Sequence, residues 1–119
     1  YALVIWPPHC IIGTQGHEIY PSVREAMFEW EQNFAVVDFV TKGSNPYTEH
    51  YSAVKADVPD PQDITSQLNA YLIQSLEQAD FIGVGGEALR HCIANTSGIL
   101  LTTSLMPPMH LKLSYLKIA

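Results

Sequence analysis

The chain is poor in cysteine, in positive charge and in long apolar runs, and each shortage removes a class of protein. Of its 119 residues only Cys10 and Cys92 are cysteine. A secreted domain of this size ordinarily carries a denser disulfide framework. Two distant thiols point instead to a reducing cytoplasm with both sulfurs free. Six Lys and Arg against twelve Asp and Glu leave a net charge of −6. Cations so few and so scattered make no basic patch for a phosphate backbone, which argues against nucleic acid as a partner. No apolar run approaches the ~20 residues needed to span a bilayer. The opening Tyr1–Cys10 lacks the basic start of a signal peptide, so neither a membrane nor a secretory route is expected.

What is present suits a buried layered domain. Hydrophobic residues make up 47% and charged residues 15% of the chain, a balance unlike that of disordered segments. The length supports one domain with one core. Ala2–Ile5 is a short apolar run stopped by Trp6-Pro7-Pro8, which reads as a strand entering a loop. Pro21 opens a helix, and Val23, Ala26, Met27 and Trp30 recur behind it on one face. Phe34–Val40, rich in β-branched and aromatic residues, reads as a buried strand ending at Lys42-Gly43. A long loop follows over 44–61, a length that in compact domains is often functional.

A second helix is expected over 63–78 with Asp63 as its N-cap. Phe81–Val84 then reads as a strand running into Gly85-Gly86, and a further helix carries Cys92 until Ser97-Gly98 interrupts it. Ile99–Thr103 and, weakly, His110–Ala119 read as strands. Alternating strands and helices of this kind predict a three-layer α/β fold, a doubly wound and mostly parallel sheet.

The strongest local pattern is Gly85-Gly86-Glu87-Ala88-Leu89-Arg90-His91-Cys92. A glycine turn from strand to helix places its residues at the C-terminal sheet edge, where ligands bind in such folds. A thiol there feels the positive end of the helix dipole, and the exposed N–H groups can hold an oxyanion. A small cysteine packing a helix against a sheet accounts for Cys92 as well. Lys42, at the end of another strand, can stabilise a neighbouring thiolate or serve as a surface lysine. Trp6-Pro7-Pro8-His9 presents a histidine beside an aromatic wall, open to a metal or to a simple loop hydrogen bond. His91, adjacent to Cys92 on a helix, points elsewhere and makes a poor general base.

Taken in order, these pieces resemble the isochorismatase-like cysteine hydrolases, and within them the nicotinamidase-type amidases. Trp6-Pro7-x-His9-Cys10 with Gly13-Thr14-x-Gly16 is similar to the family's loop beside the metal and substrate pocket. Val40-Thr41-Lys42-Gly43 and Tyr51-Ser52-Ala53 resemble its catalytic-lysine strand end and the loop element after it. Gly86-Glu87-Ala88-x-x-His91-Cys92-Ile93-x-x-Thr96 resembles its nucleophile turn, and the likeness spans about residues 2–96.

The resemblance implies that Cys92 attacks a small carboxamide, nicotinamide being the type substrate, through a thioester that releases ammonia, with Lys42 moving the proton. It implies a cis bond at Glu87–Ala88, which turns the backbone N–H of Ala88, with that of Cys92, toward the oxyanion. Trp6 becomes a pocket wall and His9 a ligand of a divalent zinc, iron or manganese ion. The family's triad aspartate and the Asp-x-His of its metal site lie upstream of the Trp-Pro element, where this chain has five residues. Asp38 shares Lys42's strand face by parity, but four residues of strand span ~13 Å. Residues 1–119 are therefore expected to be one incomplete isochorismatase-like domain, altered after Thr96. The alternative is a catalytically silent member acting as an oligomer-forming or binding module, and in either case a homo-oligomer is expected.

Overall fold

The computed structural model describes residues 5–103. The chain divides into two compact units, 1–39 and 40–119. No helix among the described residues is long and apolar enough to cross a membrane.

In the first unit a 3₁₀ turn, Gln15–His17, precedes helix α1, Pro21–Gln32. Pro21 occupies the first turn, where its missing N–H costs nothing and its fixed φ suits the helix. Asn33 closes the C-terminus by donating from Nδ2 to the Glu29 carbonyl at 2.9 Å. Phe34 follows at φ 63, the left-handed position that usually falls to glycine. The apolar stripe is helical in period, yet α1 buries no side chain, and Trp30 remains 62% exposed.

The second unit holds the core. Helix α2 (Ala70–Leu76) and helix α3 (Ala94–Thr102) pack with the loop that carries Val54. Val54, Ile73 and Leu100 are the centre of this packing, flanked by Leu72, Leu76 and Ile99. Each burial of such an aliphatic side chain contributes about 1.5–3 kcal/mol.

The loop from 44 to 67 is ordered by polar groups. Asp63 caps the 3₁₀ turn Ile64–Ser66 by accepting from the Thr65 N–H at 2.9 Å. Its second oxygen accepts from Asn45 Nδ2 at 2.8 Å, clasping the two ends of the loop. Ser66, fully buried, accepts from the Asp60 N–H and donates its one proton to the Asp63 carbonyl at 2.7 Å, with the Asp60 carbonyl also in reach at 3.0 Å. The expected helix over 63–78 is thereby split. Ser66 and Asn69 bond the local backbone in place of the helical ladder, and Asn69 caps α2 anew through Leu72 N–H.

The predicted α/β sheet is not present among the described residues. Phe34–Val40 and Phe81–Val84 are not strands, and among the described residues the only pairing is an isolated antiparallel bridge, Glu49 with Val58. β-Branched composition marks segments that suit a pleated surface, but a strand exists only when a neighbour satisfies its backbone. Val36 and Phe39 are accordingly 88% and 66% exposed. Ile99–Thr103 is corrected as well, since α3 runs through Gly98 to Thr102. Ile93, Ser97 and Leu100 are all buried at i, i+4 and i+7, the period of a helix face. Gly98 costs that helix about 1 kcal/mol relative to alanine but does not end it. The expected strand at His110–Ala119 and most of that at Ala2–Ile5 lie outside the described residues.

Candidate active site

Cys92 sits in a single π-helical turn, Leu89–Ile93, that runs directly into α3. Such turns are rare and occur often at functional sites. The chain enters it through Gly86 at φ 149 and Ala88 in the left-handed region at φ 54. A non-glycine residue held there costs about 1–2 kcal/mol. The Ala88 carbonyl accepts from the His91 N–H at 2.8 Å, closing the entry to the turn. No peptide bond in the described chain is cis, so the expected cis bond at Glu87–Ala88 is corrected to trans. The left-handed Ala88 makes the sharp entry by φ and ψ alone, and the Ala88 N–H loses the reorientation that a cis bond would have given it.

Lys42 comes to this turn from 50 residues away in sequence. Its Nζ lies 3.3 Å from Cys92 Sγ, 3.0 Å from the His50 carbonyl and 3.2 Å from the Tyr51 carbonyl. An ammonium has three N–H donors, and here each has one acceptor. The two carbonyls hold the head of a flexible side chain in place, and the third N–H is left for sulfur. A positive charge at that distance stabilises negative charge on the sulfur. Cys92 is half-buried and so open to a reactant on one side.

The loop bearing those carbonyls is fixed from behind. The Tyr51 N–H donates to Asp57 Oδ2 at 2.7 Å, and the Ala53 N–H donates to Thr96 Oγ1 at 3.1 Å. Buried Ser52 accepts the Val54 N–H on its own hydroxyl at 3.0 Å. The Val54 carbonyl accepts from Asn69 N–H, and Ala56 N–H donates to the Ser66 carbonyl. The rings of Tyr51 and His91 stand 5.6 Å apart beside the pair, tilted by 38°. Local context in the sequence marks Lys42 and Cys92, and the family resemblance marks the Tyr51-Ser52-Ala53 element. They do not mark the His50 and Tyr51 carbonyls, because every residue has one. Asp57 is the missed residue with a signal of its own, as an aspartate inside the loop that closes it against Glu49 by a 2.7 Å backbone bond.

Trp6 and His9 belong to the first unit. Their rings lie 5.9 Å apart, and His9 Nδ1 is 2.7 Å from the Pro7 carbonyl. Since a carbonyl only accepts, Nδ1 carries the proton there. That leaves Nε2 as the free nitrogen of the neutral ring, but one histidine is not a metal site. No group of three His, Cys, Asp or Glu capable of holding a metal occurs among the described residues. Among the described residues the expected divalent ion therefore finds only His9 as a ligand, and no step of the chemistry is drawn through it. A shallow open depression along α1, lined by Pro21, Arg24, Glu25 and Phe28, carries no nucleophile.

Comparison with known proteins adds no relative: no family model matches the chain, and neither a curated protein nor a solved structure matches it.

Proposed function

We propose that this chain is a cysteine-dependent hydrolase of small carboxamides, with Cys92 as nucleophile and Lys42 as its proton carrier. The observation that carries the reading is the contact of Lys42 Nζ with Cys92 Sγ at 3.3 Å, with two backbone carbonyls anchoring the amine. Activated cysteines characteristically have such a cationic partner within reach. The resemblance to nicotinamidase-type amidases, carried by the residues around Lys42 and Cys92, supplies the substrate class.

The chemistry balances on these two side chains. The Cys92 thiolate attacks the amide carbonyl carbon, forming the C–S bond and a tetrahedral oxyanion. Lys42 gives one proton to the amide nitrogen, the C–N bond breaks, and ammonia leaves a thioester and a neutral amine. Water then attacks the thioester as Lys42 takes its proton back. The carboxylic acid departs, and thiolate and ammonium are restored. The Cys92 N–H, in the turn that opens the helical run, is the donor assigned to the oxyanion.

Ammonia release from nicotinamide and simple aliphatic amides tests the reading. Cys92→Ala abolishes it, and Cys10→Ala leaves it intact. Equal loss in both variants overturns the assignment.

A second reading has its own observation. Phe28, Trp30, Phe34 and Phe39 are each more than 60% exposed within the first unit. Apolar surface on that scale suits a binding module that pairs with another copy of the chain. Sedimentation in solution decides it: a clean monomer at micromolar concentration removes this reading.

A further inference from the structure

Thr96 stands one helical turn beyond Cys92, and its hydroxyl is the acceptor for the Ala53 N–H at 3.1 Å. This is a tether between two pieces of chain far apart in sequence. One is the helical run that holds Cys92. The other is the loop whose His50 and Tyr51 carbonyls hold Lys42 Nζ. The Tyr51–His91 ring contact and the packing of Val54 against Leu100 join the same two pieces, and Lys42 Nζ, held by that loop, reaches Cys92 Sγ in the contact that the chemistry must break and remake.

The backbone of the loop shows why such a tether is needed. Within residues 51–57, Tyr51, Ala53, Val54, Ala56 and Asp57 direct their N–H groups to Asp57 Oδ2, Thr96 Oγ1, Ser52 Oγ, the Ser66 carbonyl and the Glu49 carbonyl. The carbonyls of His50 and Tyr51 in the same loop accept from Lys42 Nζ. Four of these acceptors belong to the same stretch of chain, residues 49–66, and would travel with the loop. Thr96 alone lies on the element that carries the thiol.

We propose that Thr96 is a positioning residue for the Cys92–Lys42 pair: its hydroxyl holds the carbonyl-bearing loop at the distance from which Lys42 reaches the sulfur. This rests on the reading of Cys92 as an activated nucleophile. Thr96→Val keeps the shape and removes the acceptor, leaving the Ala53 N–H unpaired, whereas Thr96→Ser keeps the hydroxyl and removes only a methyl group.

The test is the rate at which iodoacetamide alkylates Cys92 in the full chain at pH 7, with Cys10 as internal control and peptide mass mapping to separate them. In the unaltered chain Cys92 reacts faster than Cys10. Thr96→Val slows Cys92 by about tenfold, the scale of one lost ordered hydrogen bond. Cys10 is unaffected, and Thr96→Ser stays within about twofold of the unaltered chain. If Cys92 in the unaltered chain is no faster than Cys10, the nucleophile reading fails and the inference falls with it. If Cys92 is fast and Thr96→Val leaves it unchanged or faster, the reading stands and the positioning role is overturned. Should Thr96→Val fail to fold by circular dichroism, Thr96→Ala takes its place: a slowed Cys92 supports the role of the hydroxyl, and a Cys92 rate equal to that of the unaltered chain overturns it.

Discussion

Lys42 Nζ and Cys92 Sγ meet at 3.3 Å across 50 residues of intervening chain, and the amine's two other protons are held by the carbonyls of His50 and Tyr51. The pairing matters because lysine is a long and mobile side chain. Left to itself it would sample many rotamers, and ordering it costs up to about 2 kcal/mol. Two backbone acceptors offset that cost and leave one N–H aimed at the sulfur.

Replacing Lys42 therefore removes both the charge beside the sulfur and the proton carrier. Lys42→Met lowers the rate of carboxamide hydrolysis by about 10²–10⁴, the usual contribution of a positioned acid–base group. Lys42→Arg does not restore it, because a planar guanidinium neither fits the three-acceptor arrangement nor gives up its proton. Ammonia release measured for the two variants checks this, and full activity in Lys42→Met contradicts the assigned role.

Asp63 links the chemistry of the loop to pH. Its carboxyl is held below the ordinary value of 3.8, first by the Thr65 hydroxyl, then by Asn45 and by the Thr65 N–H. A carboxyl depressed in the folded chain contributes stability that is present above its unfolded value and is lost as pH falls through its folded value. The clasp between Asn45 and the turn at 64–66 thus holds at neutral pH and opens in acid, below pH 3.8. An NMR titration of the Asp63 carboxyl checks the sign, with a midpoint under 3.8 expected. A midpoint at or above that value contradicts it.

Ser97 lies 4% exposed on the buried face of α3, and its hydroxyl has no hydrogen-bond partner among the described residues. A buried hydroxyl without a partner costs about 1–3 kcal/mol, and alanine is the better helix former. Ser97→Ala is expected to raise stability by about 1 kcal/mol, read as a higher urea midpoint with unchanged slope. A lower midpoint contradicts the account.

Local caps and contacts are more legible in the sequence than architecture. Pro21 marks where α1 begins, and Asp63 caps a turn as expected, although the helix behind it is interrupted. Lys42 and Cys92, which local context leaves open to structural roles and the family resemblance pairs, stand in contact. The expected sheet is absent among the described residues because apolar β-branched runs such as Phe34–Val40 report what a strand prefers, not whether a neighbouring strand exists to pair with it. Ser97-Gly98 suggests a break because both residues are weak helix formers. The spacing of Ile93, Ser97 and Leu100 carried the opposite message, and burial of that face outweighs propensity. The carbonyls that hold Lys42 were beyond reach, since backbone acceptors carry no residue label.

The central claim, that Lys42 activates Cys92, is tested most directly by alkylating the chain and its Lys42→Met variant with iodoacetamide at pH 7 and following both cysteines by mass. The account predicts that Cys92 outpaces Cys10 in the unaltered chain and loses that advantage, by about tenfold or more, without the lysine, since close charges of opposite sign stabilise one another on the scale of kcal/mol. Equal rates for the two cysteines, or a Cys92 rate indifferent to Lys42, would contradict it.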